Sequence, residues 1–179
     1  MDVYNAIQNR RAFRVLKPTD VSPELIEDLA NSARLAPSCF NNQPWNFVFV
    51  SEPQQLVEMR RALSEGNNWA YDASMIIAVF GKKEDDCMMR NRIYYQFDCG
   101  LAVGFLILRA TELGLVAHPI AGFSPKKTRE ILGIPEEYKV ITLILVGKKS
   151  DELSSILSEK QAGWEKRRPR RKKLAEFVH

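Results

Sequence analysis

Apolar and polar positions along the chain fall into two patterns. Short continuous apolar runs alternate with stretches in which apolar residues recur three or four apart. Residues 2–9 place Val3, Ala6 and Ile7 on one side of a short helix. Ser22-Pro23-Glu24 supplies an N-cap, a first-position proline and a first-turn acid. Leu25, Ile26, Leu29, Ala30 and Ala33 follow at helical spacing, and this helix ends before Pro37. Asn46-Phe47-Val48-Phe49-Val50 is a β-branched and aromatic run that predicts a strand ending at Ser51. Pro53 opens a third helix with Leu56, Val57 and Leu63 inward. Gly66-Asn67-Asn68-Trp69 reads as a loop, with Trp69 as packing. Met75 to Phe80 is continuously apolar and stops at Gly81, as expected of a strand buried on both faces. Residues 82–91 are polar and give no element. The longest helix is expected over 94–113, with Gly114 as its C-cap. His118 to Phe123 reads as a loop punctuated by proline and glycine. Ser124-Pro125 opens a short helix that stops at Gly133, and Val140 to Gly147 is the strongest strand pattern. From Lys148 on, core character is slight.

Strands and helices thus alternate, and the strands are apolar on both faces. The pattern argues for three layers, α/β or α+β, with helices on both sides of a sheet. At 179 residues the chain fits one domain, 1–179, with 150–179 as a basic arm. One segment sits awkwardly in so small a body. Residues 101–108 are apolar all round, so the helix needs cover on every side, from other helices or from a second subunit. Gly100 and Gly104 share a face of it and would let another helix approach.

Composition changes the picture in three places. Apolar residues make up 45% and charged residues 27% of the chain, and no run reaches the ~20 apolar residues of a membrane span. The opening Met1-Asp2-Val3-Tyr4-Asn5 has no basic or apolar leader region, so no secretory signal is expected. Cys39, Cys87 and Cys99 are odd in number and form no C-x-x-C pair. A disulfide framework or a metal site is not expected, and a reducing cytoplasm is. The net charge of +4 belongs to the tail: eight basic residues lie between Lys160 and Lys173 against one acid, Glu165.

The candidate chemistry lies between the elements. Ala36 to Trp45 is a loop pinned by Pro37 and Pro44 that carries Ser38, Cys39, Asn41, Asn42 and Gln43. Side-chain amides donate and accept at once, which suits a flat heterocycle; the same residues also make ordinary polar turns. Arg10-Arg11-Ala12-Phe13-Arg14 is either a solvated face or an anion site, since guanidinium forks match phosphate. There is no G-x-x-x-x-G-K-[ST] loop, no G-x-G-x-x-G turn and no nucleophile–base pair, and His118 beside Pro119 reads as structural. Amides, arginines and small-residue loops are an inventory that binds and orients a cofactor.

These stretches, in order, resemble the nitroreductase family of flavin-dependent NAD(P)H oxidoreductases. Arg10 to Arg14 resembles its amino-terminal arginine motif, and Pro37 to Trp45 its Pro-Ser-x-x-Asn-x-Gln-Pro-Trp loop. Asp98 to Gly114 resembles its interface helix, and Pro119 to Phe123 its Pro-Ile-x-Gly-Phe loop. The resemblance implies an α+β three-layer fold with a mostly antiparallel central sheet flanked by helices. It also implies a homodimer with an extended C-terminal tail, and FMN sites built from both subunits. Arg10 and Arg11 would contact the phosphate or ribityl chain, and Arg14 the pyrimidine edge. Pro37, Ser38, Cys39, Asn41 and Gln43 would come from the other subunit. Asn67 or Asn68 would reach the pyrimidine edge, while Pro119, Ile120 and Gly122 would lie along the ring. Arg170 and Arg171 would be late phosphate contacts. Ala12 replaces the family's usual serine, and Ala121 stands where many relatives carry an acid.

The implied activity is hydride uptake from NAD(P)H by FMN and reduction of a small acceptor such as a nitroaromatic, quinone or flavin. Two other classes compete with it. One is an FMN-binding protein without turnover. The other is a nucleic-acid binder acting through Lys166 to Lys173, a run with no interleaved aromatics and no recognisable binding module.

Overall fold

The computed structural model describes residues 1–152 and 156–179. In chain order its helices and strands are α1 (Val3–Asn9), β1 (Leu16–Lys17), α2 (Pro23–Arg34), β2 (Asn46–Val50), α3 (Pro53–Met59), β3 (Met75–Gly81), β4 (Met88–Met89), β5 (Arg92–Ile93), α4 (Tyr95–Glu112), β6 (Val116–Ile120), α5 (Pro125–Leu132), β7 (Lys139–Lys149) and α6 (Glu159–Lys166). Short 3₁₀ turns fill several connections, the longest over Glu65–Asp72.

Four strands lie in the order β2-β3-β7-β6, every pair antiparallel. β1 pairs with Lys148 and Lys149, past the stretch of β7 that β3 and β6 use. The side-chain alternation of β3 and β7 divides the core in two. Met75, Ile77, Val79, Ile144 and Val146 face α2 and α4, where Leu29, Ala33, Cys99, Ala102 and Leu106 are buried. Ile76, Ala78, Leu143 and Leu145 face the opposite way, onto Met59, Trp69 and the α5 residues Ile131 and Leu132. A strand buried on both faces reads as a continuous apolar run, and that is the pattern of both segments. The result is a layered arrangement of helices about an antiparallel sheet.

The caps hold where the sequence places them. Ser22 accepts from the Leu25 amide and Ser124 from Lys127; Asp2, which the sequence reading did not single out, also caps α1 by accepting from the Asn5 amide. Arg109 of α4 donates to Asp28 of α2 at 2.7 Å and to Glu112 at 2.6 Å, pinning the two helices.

Several expectations need correction. His118, Pro119 and Ile120 lie in strand β6, with Pro119 opposite Ile144, and the loop begins only at Ala121. Proline is tolerated there because β6 is an edge strand, so its missing N–H costs no ladder bond. The polar stretch 82–91 contains a 3₁₀ turn over Lys83–Asp85 and one strand of the β4–β5 hairpin. Val57 is exposed. α4 buries Asp98, Ala102, Leu106 and Ala110, but Phe97 and Phe105 on another side stand in solvent. Cys39 and Cys87 form a disulfide, against the expectation from their number and spacing. They are 48 residues apart in sequence, and tertiary packing brings them together, with Asn42 donating to Asp86 beside the bond. Cys99 is free and buried. Among the described residues no helix is long and apolar enough to cross a membrane.

Candidate functional site

The arginine segment and the tail meet. Chain 10–14 runs between α1 and β1, and α6 folds across it. The Ser158 cap and Gln161 form a reciprocal capping box that starts α6. Arg11 Nη2 donates to the Trp164 carbonyl at 2.6 Å and to the Glu165 carbonyl at 3.2 Å, the free carbonyls of a helix end. Glu165 is buried and accepts from the Arg14 amide at 2.9 Å. Arg168 donates to the carbonyls of Gln8 and Arg10. These contacts leave a cleft of about 240 Å³ lined by Arg10, Arg11, Arg14, Trp164, Arg168 and Arg171, among others.

Charge in this cleft is one-sided. Burial lowers the Arg10 pKa first, and the nearby Arg168 and Arg171 cations lower it further. Arg14 is lowered by burial and partly restored by Glu165. A guanidinium remains charged under such shifts, so the cleft holds concentrated positive charge. The Arg14 guanidinium is braced between two indoles, 5.1 Å from the Trp164 ring and 5.8 Å from Trp69.

Behind Arg14 the frame is continuous. Trp69 stacks on His118 with ring centroids 4.8 Å apart. His118 Nδ1 lies 3.0 Å from the Phe13 carbonyl, and burial, with Arg14 and Arg10 nearby, brings its pKa down to about 4. The ring is therefore neutral at ordinary pH and donates to that carbonyl. Asn67 accepts from Trp69 Nε1 at 3.1 Å and donates to the Gly122 carbonyl at 2.8 Å. A Cβ at Gly122 would run into the Asn67 amide, so a larger residue there would displace the Asn67 side chain from its bond to the Gly122 carbonyl. Both ends of the Asn67 amide are engaged, whereas Asn68 is exposed. Pro119 is exposed and Ile120 points into the core, so at Ile120 the backbone is the available contact.

The amide-rich loop lies elsewhere. Ser38 Oγ accepts from the Gln43 amide at 2.9 Å, and Gln43 Nε2 donates to the Asn41 carbonyl at 3.2 Å. Phe40, Asn41 and Gln43 all take positive φ, of 49°, 58° and 51°. Three such residues in four form a cost that only an over-determined loop sustains, and they point to function. What holds them is Asp98, buried in the first turn of α4, which accepts from the Cys39 amide at 2.7 Å, together with the Cys39–Cys87 bond. Pro37 is exposed. Among the described residues no hydrogen bond, ion pair or ring contact joins this loop to the arginine cleft.

Of the residues expected at a site, Arg10, Arg11, Arg14 and Arg171 come together, with Asn67 and Gly122 behind them. Arg170 is exposed and does not line the cleft. Sequence reasoning missed Arg168, Trp164 and Glu165. The signal was present in Glu165, the lone acid in a basic run.

The family model described as the nitroreductase family matches residues 7–68 and 52–148. The chain belongs to the nitroreductase family. A protein of Archaeoglobus fulgidus named NADH dehydrogenase/NAD(P)H nitroreductase is 31% identical over 154 residues, covering 82% of this chain and 84% of its own length. An iodotyrosine deiodinase of Haliscomenobacter hydrossis is 29% identical over 174 residues, covering 82% and 78%. A solved structure described as an oxidoreductase containing FMN superposes with a TM-score of 0.84 at 27% identity, covering all of this chain and 90% of that one. The chain is thus an oxidoreductase of this family by kinship. Its cleft and its strained loop are the parts to which a function must be fitted.

Proposed function

We propose that this family member is an FMN-dependent oxidoreductase that takes hydride from NAD(P)H and reduces a small aromatic acceptor, such as a nitroaromatic, a quinone or a flavin. The observation that carries the reading is the arginine cleft, where positive charge converges and the buried acid Glu165 is turned onto a backbone amide. Such a cleft calls for an anion with several acceptor oxygens, and a phosphate monoester fits the donor set. The FMN-containing structural neighbour and the relative named for NAD(P)H support the choice of ester and of electron donor.

FMN bound here would supply the ring that accepts hydride and passes electrons on. Arg10, Arg11, Arg168 and Arg171 would hold its phosphate and ribityl chain. Arg14, fixed by two indoles, would oppose negative charge at the pyrimidine edge, a preorganised cation where charge develops. Asn67 fixes the Gly122 carbonyl and so shapes the backbone of 120–123 beside it. The loop residues Pro37, Ser38, Cys39, Asn41 and Gln43 would reach the cofactor from a second copy. A homodimer is supported by the apolar surface that stands open: Phe97 and Phe105 on α4, and Val3, Tyr4 and Ile7 on α1. A Cβ at Gly100 or Gly104 would meet nothing within 4 Å, which leaves room for a helix from another copy. Against a nucleic-acid role, the basic run Lys166 to Lys173 carries no interleaved aromatic residue.

The test begins with the purified protein and its absorption spectrum, followed by FMN titration. NADH and NADPH oxidation is then measured with a nitroaromatic, a quinone, free flavin and an iodotyrosine. The expected outcome is a yellow protein that turns over with one or more of these acceptors. A protein that takes up no FMN would overturn the reading, and one that binds FMN without oxidising either nicotinamide would reduce it to a flavin-binding protein.

A further inference from the structure

The Cys39–Cys87 bond joins two segments with little else in common. Cys39 opens the strained loop, and Cys87 precedes the β4–β5 hairpin. Both cysteines are half-buried, so neither is sealed in the core. Around them stand the carboxyl groups of Asp86 and Asp98, which no ion pair engages among the described residues. An oxygen of Asp86 and both Sγ atoms lie within 4.8 Å of one another. Asp86 Oδ1 accepts from the Cys87 amide at 2.7 Å and the Asn42 amide at 3.3 Å. Among the described residues, Asp86 Oδ2 is buried with no hydrogen-bond partner. Asp98 is buried beside it, and its pKa is raised, first by burial and then by Asp86, against the pull of the Cys39 N–H. A buried acceptor without a donor is costly, and a proton held on Asp98 would meet that need. Cys99, pushed up to about 12 by burial with Asp86 and Asp98 nearby, stays a thiol and takes no part.

We propose that Cys39 and Cys87 form a reversible dithiol–disulfide couple, with the Asp86–Asp98 carboxyl pair as the proton store for exchange, and that the oxidised form holds loop 38–43 in its strained shape. A thiolate of a small thiol attacks Sγ of one cysteine, the S–S bond breaks, and the other sulfur leaves as a thiolate. The carboxyl pair protonates that thiolate. A second thiol molecule attacks the mixed disulfide, releasing the small-molecule disulfide and the second protein thiolate, which takes up the proton that thiol gave up. Two thiols are oxidised and one protein disulfide is reduced. A buried carboxyl beside a leaving thiolate speeds such exchange because a protonated sulfur is the better product. Since Cys39 is among the residues assigned to the cofactor, the couple would also set how well FMN is held, and that consequence rests on the function proposed above.

The experiment uses the full chain in glutathione buffers of graded ratio, with the oxidised fraction read by alkylation and mass spectrometry. The expected result is a reversible two-electron transition of the Cys39–Cys87 pair. Pairs that remain locked, or thiols that remain free, across every ratio would overturn the couple. Asp86→Asn and, separately, Asp98→Asn should slow reduction by glutathione about tenfold, a modest share of what acid–base assistance supplies. Rates within about twofold of native in both variants would remove the carboxyls from the step. Hydrogen exchange of loop 38–43 should quicken on reduction and in Cys87→Ser, whether or not FMN is present, and unchanged exchange would overturn the hold on the loop. FMN affinity of the oxidised and reduced protein is then compared. Weaker binding on reduction supports the link, equal affinity removes it, and absence of binding in both states sinks the FMN reading while the alkylation result stands.

Discussion

The arginine cleft and the amide loop are built on opposite principles. In the cleft, side chains from both ends of the sequence converge, and burial together with the like charges of Arg168 and Arg171 lowers the Arg10 pKa. Its shape comes from bracing: Arg11 on the α6 carbonyls, Glu165 on the Arg14 amide, and two indoles about one guanidinium. The loop holds no basic side chain among 37–43, and its supports are acids and a disulfide. Its shape comes from strain, in three residues of positive φ. A cationic cleft can select an anion and set its charge. A strained loop of amides can present donors and acceptors at fixed angles. Neither alone completes a site for a phosphorylated heterocycle, and among the described residues no polar or ring contact joins them within one chain. We propose that the two are halves of one site and that they meet across a dimer.

The sharpest way to break the cleft is to remove its cover. Truncation after Ser150 deletes α6, Glu165, Arg168 and Arg171 together. Charge-assisted contacts contribute roughly 1.5–3 kcal/mol each, so losing two should weaken FMN binding by about a hundredfold or more. Fluorescence titration, with circular dichroism to verify folding, measures this; a folded, truncated protein of full affinity would show that the tail does not build the cleft. The next effect concerns the joining of the halves. Phe105→Glu puts a charge on the exposed face of α4 and should yield monomers that release FMN, read by sedimentation and absorbance together. Monomers with full FMN occupancy would place both halves in one chain.

Arg14→Ala tests electrostatics within the cleft. FMN binding should weaken by about tenfold, in line with one charge-assisted contact, and the flavin's reduction potential should fall because the reduced anion loses its neighbour. Dye equilibration on the FMN-saturated variant reads the potential, and an unchanged value would move Arg14 away from the ring. The effect furthest from FMN binding sits behind the cleft, at His118. Its folded pKa of about 4 lies below the unfolded value of about 6.5, so the unfolded chain binds the proton first as pH falls. This contribution to stability is full above pH 6.5 and is lost as pH drops toward 4, on the order of 1.4 kcal/mol per pH unit. Urea unfolding at pH 7 and pH 5 measures the slope, which His118→Gln should flatten.

The layered fold was legible because β3 and β7 are buried on both faces and announce themselves as unbroken apolar runs. The helix caps were legible because Ser22, Ser124 and their prolines act locally. β6 was not, because Pro119 argues against a strand unless one knows that the strand lies at an edge. The arginines stood out as a cluster, but their selection of Arg168 over Arg170 depends on how the chain turns after α6. Pattern alone placed Val57 inward, whereas in three dimensions it stands in solvent. The Cys39–Cys87 pairing is a product of tertiary packing, which no spacing rule over 48 residues encodes.

Subunit complementation tests the composite site most directly. Arg14→Ala weakens the cleft and Asn41→Ala the loop, so each homodimer should bind FMN less tightly than the native protein. In a dimer that mixes the two, a shared site pairs an intact cleft from one subunit with an intact loop from the other. The account predicts that unfolding and refolding the two variants together restores native FMN affinity at one site of each mixed dimer. No recovery in mixed dimers, verified by mass, would mean that cleft and loop serve the cofactor within a single chain, or not at all.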